Sequence, residues 1–209
     1  MPLPDPIPLL AGVRVIPVLT IEDAQSAVPL ARALVGGGLR VLEVTLRTGA
    51  ALDAVRAIAR EVPEAVVGVG TVTAVADIRP AIEAGARYLV SPGTPPALAE
   101  AFEHASVPVV PGCATVSEAM VLAARGFSLL KFFPAEACGG VAWLEAVAAP
   151  LPEVRFCPTG GVRANNAASY LVLKNVVAVG GAWVAPKDAI AAGDFARIER
   201  LAREAAALG

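Results

Sequence analysis

The stretch Leu129-Leu130-Lys131-Phe132-Phe133-Pro134 reads as a short buried strand with a cation at its centre. Seven other runs of the same apolar kind accompany it, at 13–19, 39–44, 65–69, 86–90, 107–110, 154–157 and 175–179. Nearly continuous apolar strands are expected of a parallel sheet covered on both faces, and the longer helical patterns between them supply the crossovers such a sheet requires. Eight units closing on themselves predict an α/β fold of the (β/α)8 TIM-barrel class. It is a compact one, with units of roughly 25 residues against about 250 for a usual barrel. An open Rossmann-like sheet is the competing arrangement. No Gly-x-Gly-x-x-Gly follows the first run, where Val18-Leu19-Thr20-Ile21-Glu22 stands instead, so a dinucleotide site is disfavoured.

The 209 residues are read as a single barrel domain over 1–209, with 1–12 a short N-terminal helix closing the barrel bottom. Thr20-Ile21-Glu22-Asp23 and Thr115-Val116-Ser117-Glu118 carry the spacing of capping boxes, and Thr94-Pro95 places a cap before a first-turn proline. Leu52, Val55, Ile58, Ala59 and Val62 form one helical stripe. Glu199, Arg200, Arg203 and Glu204 predict a solvated face paired at four-residue spacing.

A formal net charge of −2 with no basic stripe argues against a nucleic-acid partner. The most apolar stretch, near 176–186, is broken by Gly180, Gly181 and a proline and is shorter than the roughly 20 residues of a membrane helix. The start shows no basic segment followed by an apolar one, so the cytoplasm is expected. Cys113, Cys138 and Cys157 form no Cys-x-x-Cys, and His104 is the only histidine. A disulfide framework, a histidine metal site and a Ser-His-Asp triad are thereby disfavoured. The expected partner is a small molecule.

In a barrel, chemistry gathers where strands finish. Burial disfavours the charged form of an amine, and an uncharged amine can attack a ketone to form a Schiff base. Lys131 has a second reading, as a side chain that lays its methylenes on apolar neighbours and reaches water at the strand end. Glu43 follows Val41-Leu42; it either completes a buried ion pair or shuttles protons beside the lysine. Arg47 either opens the second helix at the surface or clamps a carboxylate through two parallel hydrogen bonds. Thr71 either caps a helix or offers its hydroxyl to the same carboxylate. The glycine pairs Gly160-Gly161 and Gly180-Gly181 are tight turns, or they present bare backbone N–H groups to a phosphate.

Taken with Ile16-Pro17-Val18, Glu43-Val44-Thr45-Leu46-Arg47, Gly70-Thr71-Val72, Ser91-Pro92-Gly93, Lys131-Phe132-Phe133-Pro134-Ala135-Glu136, Pro158-Thr159-Gly160-Gly161-Val162 and Gly180-Gly181-Ala182-Trp183, the chain resembles the 2-keto-3-deoxy-6-phosphogluconate (KDPG) and 4-hydroxy-2-oxoglutarate (KHG) aldolase family. The resemblance covers nearly the whole chain. It implies a class I aldolase, commonly trimeric, with no cofactor and no metal. It implies that Lys131 forms the Schiff base, Glu43 is the general acid and base, and Arg47 and Thr71 hold the pyruvate carboxylate. It further implies that Pro92 and Phe133 pack on the pyruvyl unit, while Gly160, Gly161 and Gly181 offer backbone to the phosphate. Where the family often has a serine, this chain has Ala182. Its N–H remains, but a hydroxyl contact worth about 0.5–1.5 kcal/mol is absent. KHG is therefore an alternative main substrate. A phosphate-binding barrel transferase without aldolase chemistry is the alternative that glycine pairs alone would fit; Lys131 in an apolar strand and the lack of an evident magnesium carboxylate cluster speak against it.

Overall fold

The computed structural model describes residues 3–208, an α/β domain with a curled, all-parallel sheet system. Its strands are β1 (Val15–Leu19), β2 (Val41–Thr45), β3 (Val66–Gly70), β4 (Leu89–Val90), β5 (Val109–Val110), β6 (Gly112–Cys113), β7 (Leu129–Phe132), β8 (Arg155–Pro158) and β9 (Val179–Gly181). Six of them pair in the order β5-β4-β3-β2-β1-β9, and three in the order β6-β7-β8. Only Pro111 separates β5 from β6; lacking an N–H, proline cannot donate to a ladder there. Parallel bridges Phe156↔Val176 and Thr159↔Gly180 link β8 with the segment leading through β9.

Two apolar layers follow from the period of two along each strand. One cluster inside the curl takes Ile16, Val41, Val90, Val110, Leu129 and Cys157 from successive strands. The opposite faces pack outward on α1 (Ala27–Gly36), α2 (Ala51–Glu61), α3 (Ile78–Glu83), α4 (Pro96–Glu103), α5 (Val116–Ala124), α6 (Gly140–Ala148), α7 (Ala167–Leu171), α8 (Lys187–Ala191) and α9 (Phe195–Ala206). Phe132 of β7 stacks on Trp143 of α6 at 4.2 Å between ring centroids, and Trp143 meets Phe156 of β8 edge-on at 5.4 Å. Lys131 and Glu43, each two residues beyond a member of the inner cluster, therefore point to the same interior as Leu129 and Val41.

The last expected strand, 175–179, is displaced. β9 begins at Val179 and includes Gly180 and Gly181, which pair with Ile16 and Pro17. The second glycine pair is thus ladder and not turn, because the bulk of Thr159 and of the Trp183 ring beside it leaves no room for a Cβ. The leading segment forms a 3₁₀ turn at Ile7–Leu10; residues 1 and 2 of the expected 1–12 helix lie outside the described residues. On α2, Ala51 and Ala54 are buried where Ala59 was expected, and Ala59 is exposed. Thr20 is not a cap: Asp23 accepts from the Gln25 N–H at 2.9 Å in its place. The tail pairs as expected, Arg203 with Glu199 at 2.6 Å and Arg200 with Glu204 at 3.9 Å. Among the described residues no helix is long and apolar enough to cross a membrane.

The capping box at α5 forms as predicted. Glu118 N–H donates to Thr115 Oγ1 at 3.2 Å, and Glu118 Oε2 accepts from the N–H groups of Ala114 and Thr115 at 2.7 and 3.0 Å. The Ala114 N–H, followed by that of Thr115, holds the Glu118 carboxyl below its ordinary 4.5 despite an opposing effect of burial. A depressed carboxylate contributes stability above its unfolded value and loses it as pH falls through the folded one. Thr115→Ala is expected to cost about 1 kcal/mol in urea unfolding at neutral pH. Glu118→Gln is expected to flatten the fall in stability between about pH 5 and about pH 3.

Candidate active site

Lys131 stands at the centre of β7, in register with Gly112 on one side and Cys157 on the other. Its Nζ donates to Glu43 Oε1 at 2.8 Å, and each residue is only 4% exposed. The structure thus brings together two groups 88 positions apart. Glycines make the room. A Cβ at Gly70 would collide with the Glu43 carboxylate, and one at Gly68 with the Tyr88 ring. Tyr88 donates its hydroxyl to Leu42 O at 3.0 Å, beneath Glu43. Below the pair lies a small cavity of about 10 Å³ lined by Leu9, Leu10, Tyr88, Leu129 and Cys157, the scale of one water molecule.

Burial pushes the Cys157 thiol up to about 12, against a smaller lowering by the Lys131 charge and with a smaller raising by that of Glu43. Burial first, then the Glu43 and Cys157 charges, holds the Tyr88 phenol well above its ordinary value. Both groups stay protonated beside the pair.

Above the pair opens a mouth of about 560 Å³ that gathers Arg47, Phe133, Gly160, Gly161, Gly181 and Ala182. Lys131 Nζ lies 5.7 Å from the Phe133 ring centroid, which joins the buried pair to this opening. Gly160 and Gly161 adopt φ of 95° and 82°, a left-handed turn that a side chain would strain, and Gly160 lies against the Phe133 ring. Arg47 is exposed, on a loop held by Thr45 Oγ1 to Leu19 O at 2.8 Å and Thr48 Oγ1 to Ile21 O at 2.5 Å. Thr71 and Pro92 follow β3 and β4, half-buried, and do not line this mouth. Thr71 has φ 60°, a costly conformation for a β-branched residue of the kind found at binding sites. Pro92 packs over Gly112, whose N–H donates to Ser91 Oγ at 3.0 Å and whose carbonyl accepts from Thr94 Oγ1 at 2.9 Å. Thr94 is therefore a brace for the Pro92 loop rather than the cap of α4. Arg163, Trp183 and Lys187 also line the mouth and were not anticipated as site residues; the only cue for Arg163 is a cation two positions after the glycine turn. Among the described residues no cluster of three or more His, Cys, Asp or Glu could hold a metal ion.

Residues 8–201 match the family model for KDPG and KHG aldolase. The chain belongs to this aldolase family. It is 52% identical over 191 residues to the KHG/KDPG aldolase of Escherichia coli strain K12, covering 91% of this chain and 90% of that one. The Legionella pneumophila KDPG aldolase, solved with pyruvate captured as a covalent carbinolamine, superposes with a TM-score of 0.93 at 41% identity, over 95% of this chain and 97% of that one. The Zymomonas mobilis ZM4 KDPG aldolase, solved with 3-phosphoglycerate, gives 0.91 at 42% identity, over 98% and 96%. This aldolase is a carbon-carbon lyase.

Its site geometry rests on the space above Gly70. Gly70→Ala is expected to destabilise the aldolase by about 1–3 kcal/mol through overpacking against Glu43. Gly49→Ala, where a Cβ meets nothing within 4 Å, should stay within about 0.5 kcal/mol. Urea unfolding of both variants measures the difference.

Proposed function

We propose that this class I aldolase cleaves KDPG to pyruvate and glyceraldehyde 3-phosphate through a Schiff base on Lys131. The observation that carries the reading is the buried Lys131–Glu43 hydrogen bond at 2.8 Å, and the carbinolamine of the Legionella relative supports it. A proton passed along that bond leaves an uncharged amine and a protonated carboxyl. The amine adds to the C2 ketone, and Glu43 returns the proton to the departing hydroxyl, giving an iminium and water. Glu43, again a carboxylate, removes the C4 hydroxyl proton. The C3–C4 electrons move into the iminium, the aldehyde leaves, and an enamine remains. Protonation at C3 and hydrolysis release pyruvate and restore the amine.

Arg47 and Thr71 hold the C1 carboxylate, Pro92 and Phe133 face the pyruvyl unit, and Gly160, Gly161, Gly181 and Ala182 offer backbone to the phosphate. A second reading, KHG as main substrate, is favoured by Ala182, which brings no hydroxyl to the mouth. The scaffold for these roles is read as one closed (β/α)8 barrel over 1–209, in which β5 and β6 are a single strand interrupted by Pro111 and the β8–β9 bridges complete the ring. Leu9 and Leu10 beneath the central pair support an N-terminal plug. Exposed Val116, Met120 and Val121 on α5 support a subunit interface, read as that of a homotrimer, and the enzyme is read as cytoplasmic.

Borohydride in the presence of pyruvate is expected to leave a pyruvate-derived adduct on Lys131, located by peptide mass mapping. Lys131→Ala should abolish both adduct and turnover, and Glu43→Gln should lower kcat by about 10²–10⁴-fold. An adduct elsewhere, or an active Lys131→Ala enzyme, rejects the mechanism. Comparison of kcat/KM on KDPG and KHG decides the substrate.

A further inference from the structure

The mouth is lined by three cationic side chains, Arg47, Arg163 and Lys187, and by no aspartate or glutamate. In a chain of net charge −2 this is a local reversal of sign, and a concave surface of one sign concentrates ligands of the other. The proposed mechanism uses only Arg47. The other two follow β8 and β9, Arg163 on the loop that carries Gly160 and Gly161 into the mouth and Lys187 at the end of the one that carries Ala182. Arg163 enters no ion pair among the described residues. Its loop is nonetheless fixed: Arg163 N–H donates to Asn166 Oδ1 at 2.7 Å, and Asn166 Nδ2 donates back to Gly161 O at 3.2 Å. The side chain is thus tied through its backbone to the left-handed glycine turn. Lys187 meets Glu22 only at 3.6 Å, with both side chains more than two-thirds exposed (78% and 68%), a pair too solvated to hold the ammonium away from a ligand.

We propose that Arg163 and Lys187 are specificity-determining residues that select a substrate bearing a phosphate at the end remote from the keto acid, replacing by charge the hydroxyl contact that Ala182 cannot make. The inference rests on the reading of this mouth as the aldol site. KDPG carries its phosphate on C6, as a group of roughly −1.5 to −2 charge at neutral pH. KHG ends in a single carboxylate on C5, with half the charge and one carbon less reach. A guanidinium offers paired donors to phosphate oxygens and an ammonium a point charge, so both gain more from the dianion. Because both residues are exposed, the discrimination is screened by salt: the Debye length shrinks from about 30 Å at 0.01 M to about 3 Å at 1 M.

The test compares kcat/KM for KDPG over KHG in the wild type, in Arg163→Ala/Lys187→Ala and in Arg163→Lys/Lys187→Arg. The alanine pair is expected to lower that ratio 10- to 100-fold, mainly through KM for KDPG, and to weaken the salt dependence of that KM. The charge-conserving pair is expected to keep the ratio within threefold. A ratio within threefold of wild type in the alanine pair overturns the proposal, as does an equal fall in both double variants. A second measurement is independent of turnover: at fixed ionic strength, inorganic phosphate is expected to raise Tm of the wild type and not of the alanine pair. Equal shifts in the two overturn the proposal. Should the wild type fail to cleave KDPG, the proposed reaction falls, while the phosphate shift still decides the role of these two residues.

Discussion

An ammonium and a carboxylate 2.8 Å apart, each residue 4% exposed, sit in an interior lined mostly by Val, Leu and Ile, with Tyr88 and Cys157. Taking two charges out of water costs several kcal/mol per ion, and their attraction offsets this only when the geometry is good. Apolar residues of similar volume would serve stability at least as well. The surrounding sequence is arranged around the pair nonetheless. Gly70 leaves the volume that the Glu43 carboxylate fills, Gly68 admits the Tyr88 ring below, and Gly112 lets the Pro92 backbone close over β6. Three strand glycines, Gly68 inside β3 and Gly70 and Gly112 at strand ends, lower intrinsic strand stability, and that concession is intelligible if the pair is kept for moving a proton rather than for folding.

Around the mouth, most hydroxyl and amide side chains are occupied in holding backbone. Thr45 bonds Leu19 O, Thr48 bonds Ile21 O, Thr94 bonds Gly112 O, and Asn166 bonds both Arg163 N and Gly161 O. Each bond crosses from one strand-end loop to another or closes a turn. A binding group is useful only if held within a fraction of an ångström of its working position, and loops lack the ladder bonds that fix a strand. These short crosslinks supply that rigidity, leaving Arg47 and Arg163 as extended, solvated cations on braced stems.

The strands were legible because a parallel sheet buried on both faces writes itself as continuous apolar runs, and the buried pair because a cation or anion inside such a run has few other reasons to be there. Period-two alternation places Lys131 and Glu43 on one side only once the structure shows Leu129 and Val41 in the same inner cluster. What failed to show had a local cause. Gly180 and Gly181 read as a turn, since glycine is ordinarily a breaker, yet here they are ladder residues forced small by Thr159 and Trp183. Thr20 and Thr94 have the spacing of caps, but their hydroxyls meet partners distant in sequence, Thr45 and Gly112. Arg163 has no cue beyond its place after the glycine turn, and Lys187 none, because an exposed cation in a loop has the same local pattern whether it faces bulk water or a pocket.

The interior also sets the state of its two buried acids. Lys131, Cys157 and Tyr88 line one small cavity, and each side chain bears a nucleophilic atom. Burial favours the uncharged form of every ionisable group, but the consequence differs in sign. For a thiol or a phenol the uncharged form is the unreactive one; the Cys157 thiol is pushed up to about 12 and the Tyr88 phenol well above its ordinary value, chiefly by burial. For an amine the uncharged form carries the lone pair. The cavity therefore keeps both acids protonated and unreactive, and the carboxylate of Glu43 acts in the same sense on both by opposing further negative charge. With Lys131 as the nucleophile, as proposed, the apolar ring of Ile16, Val90, Val110 and Leu129 that buries the pair also keeps Cys157 and Tyr88 from competing with it.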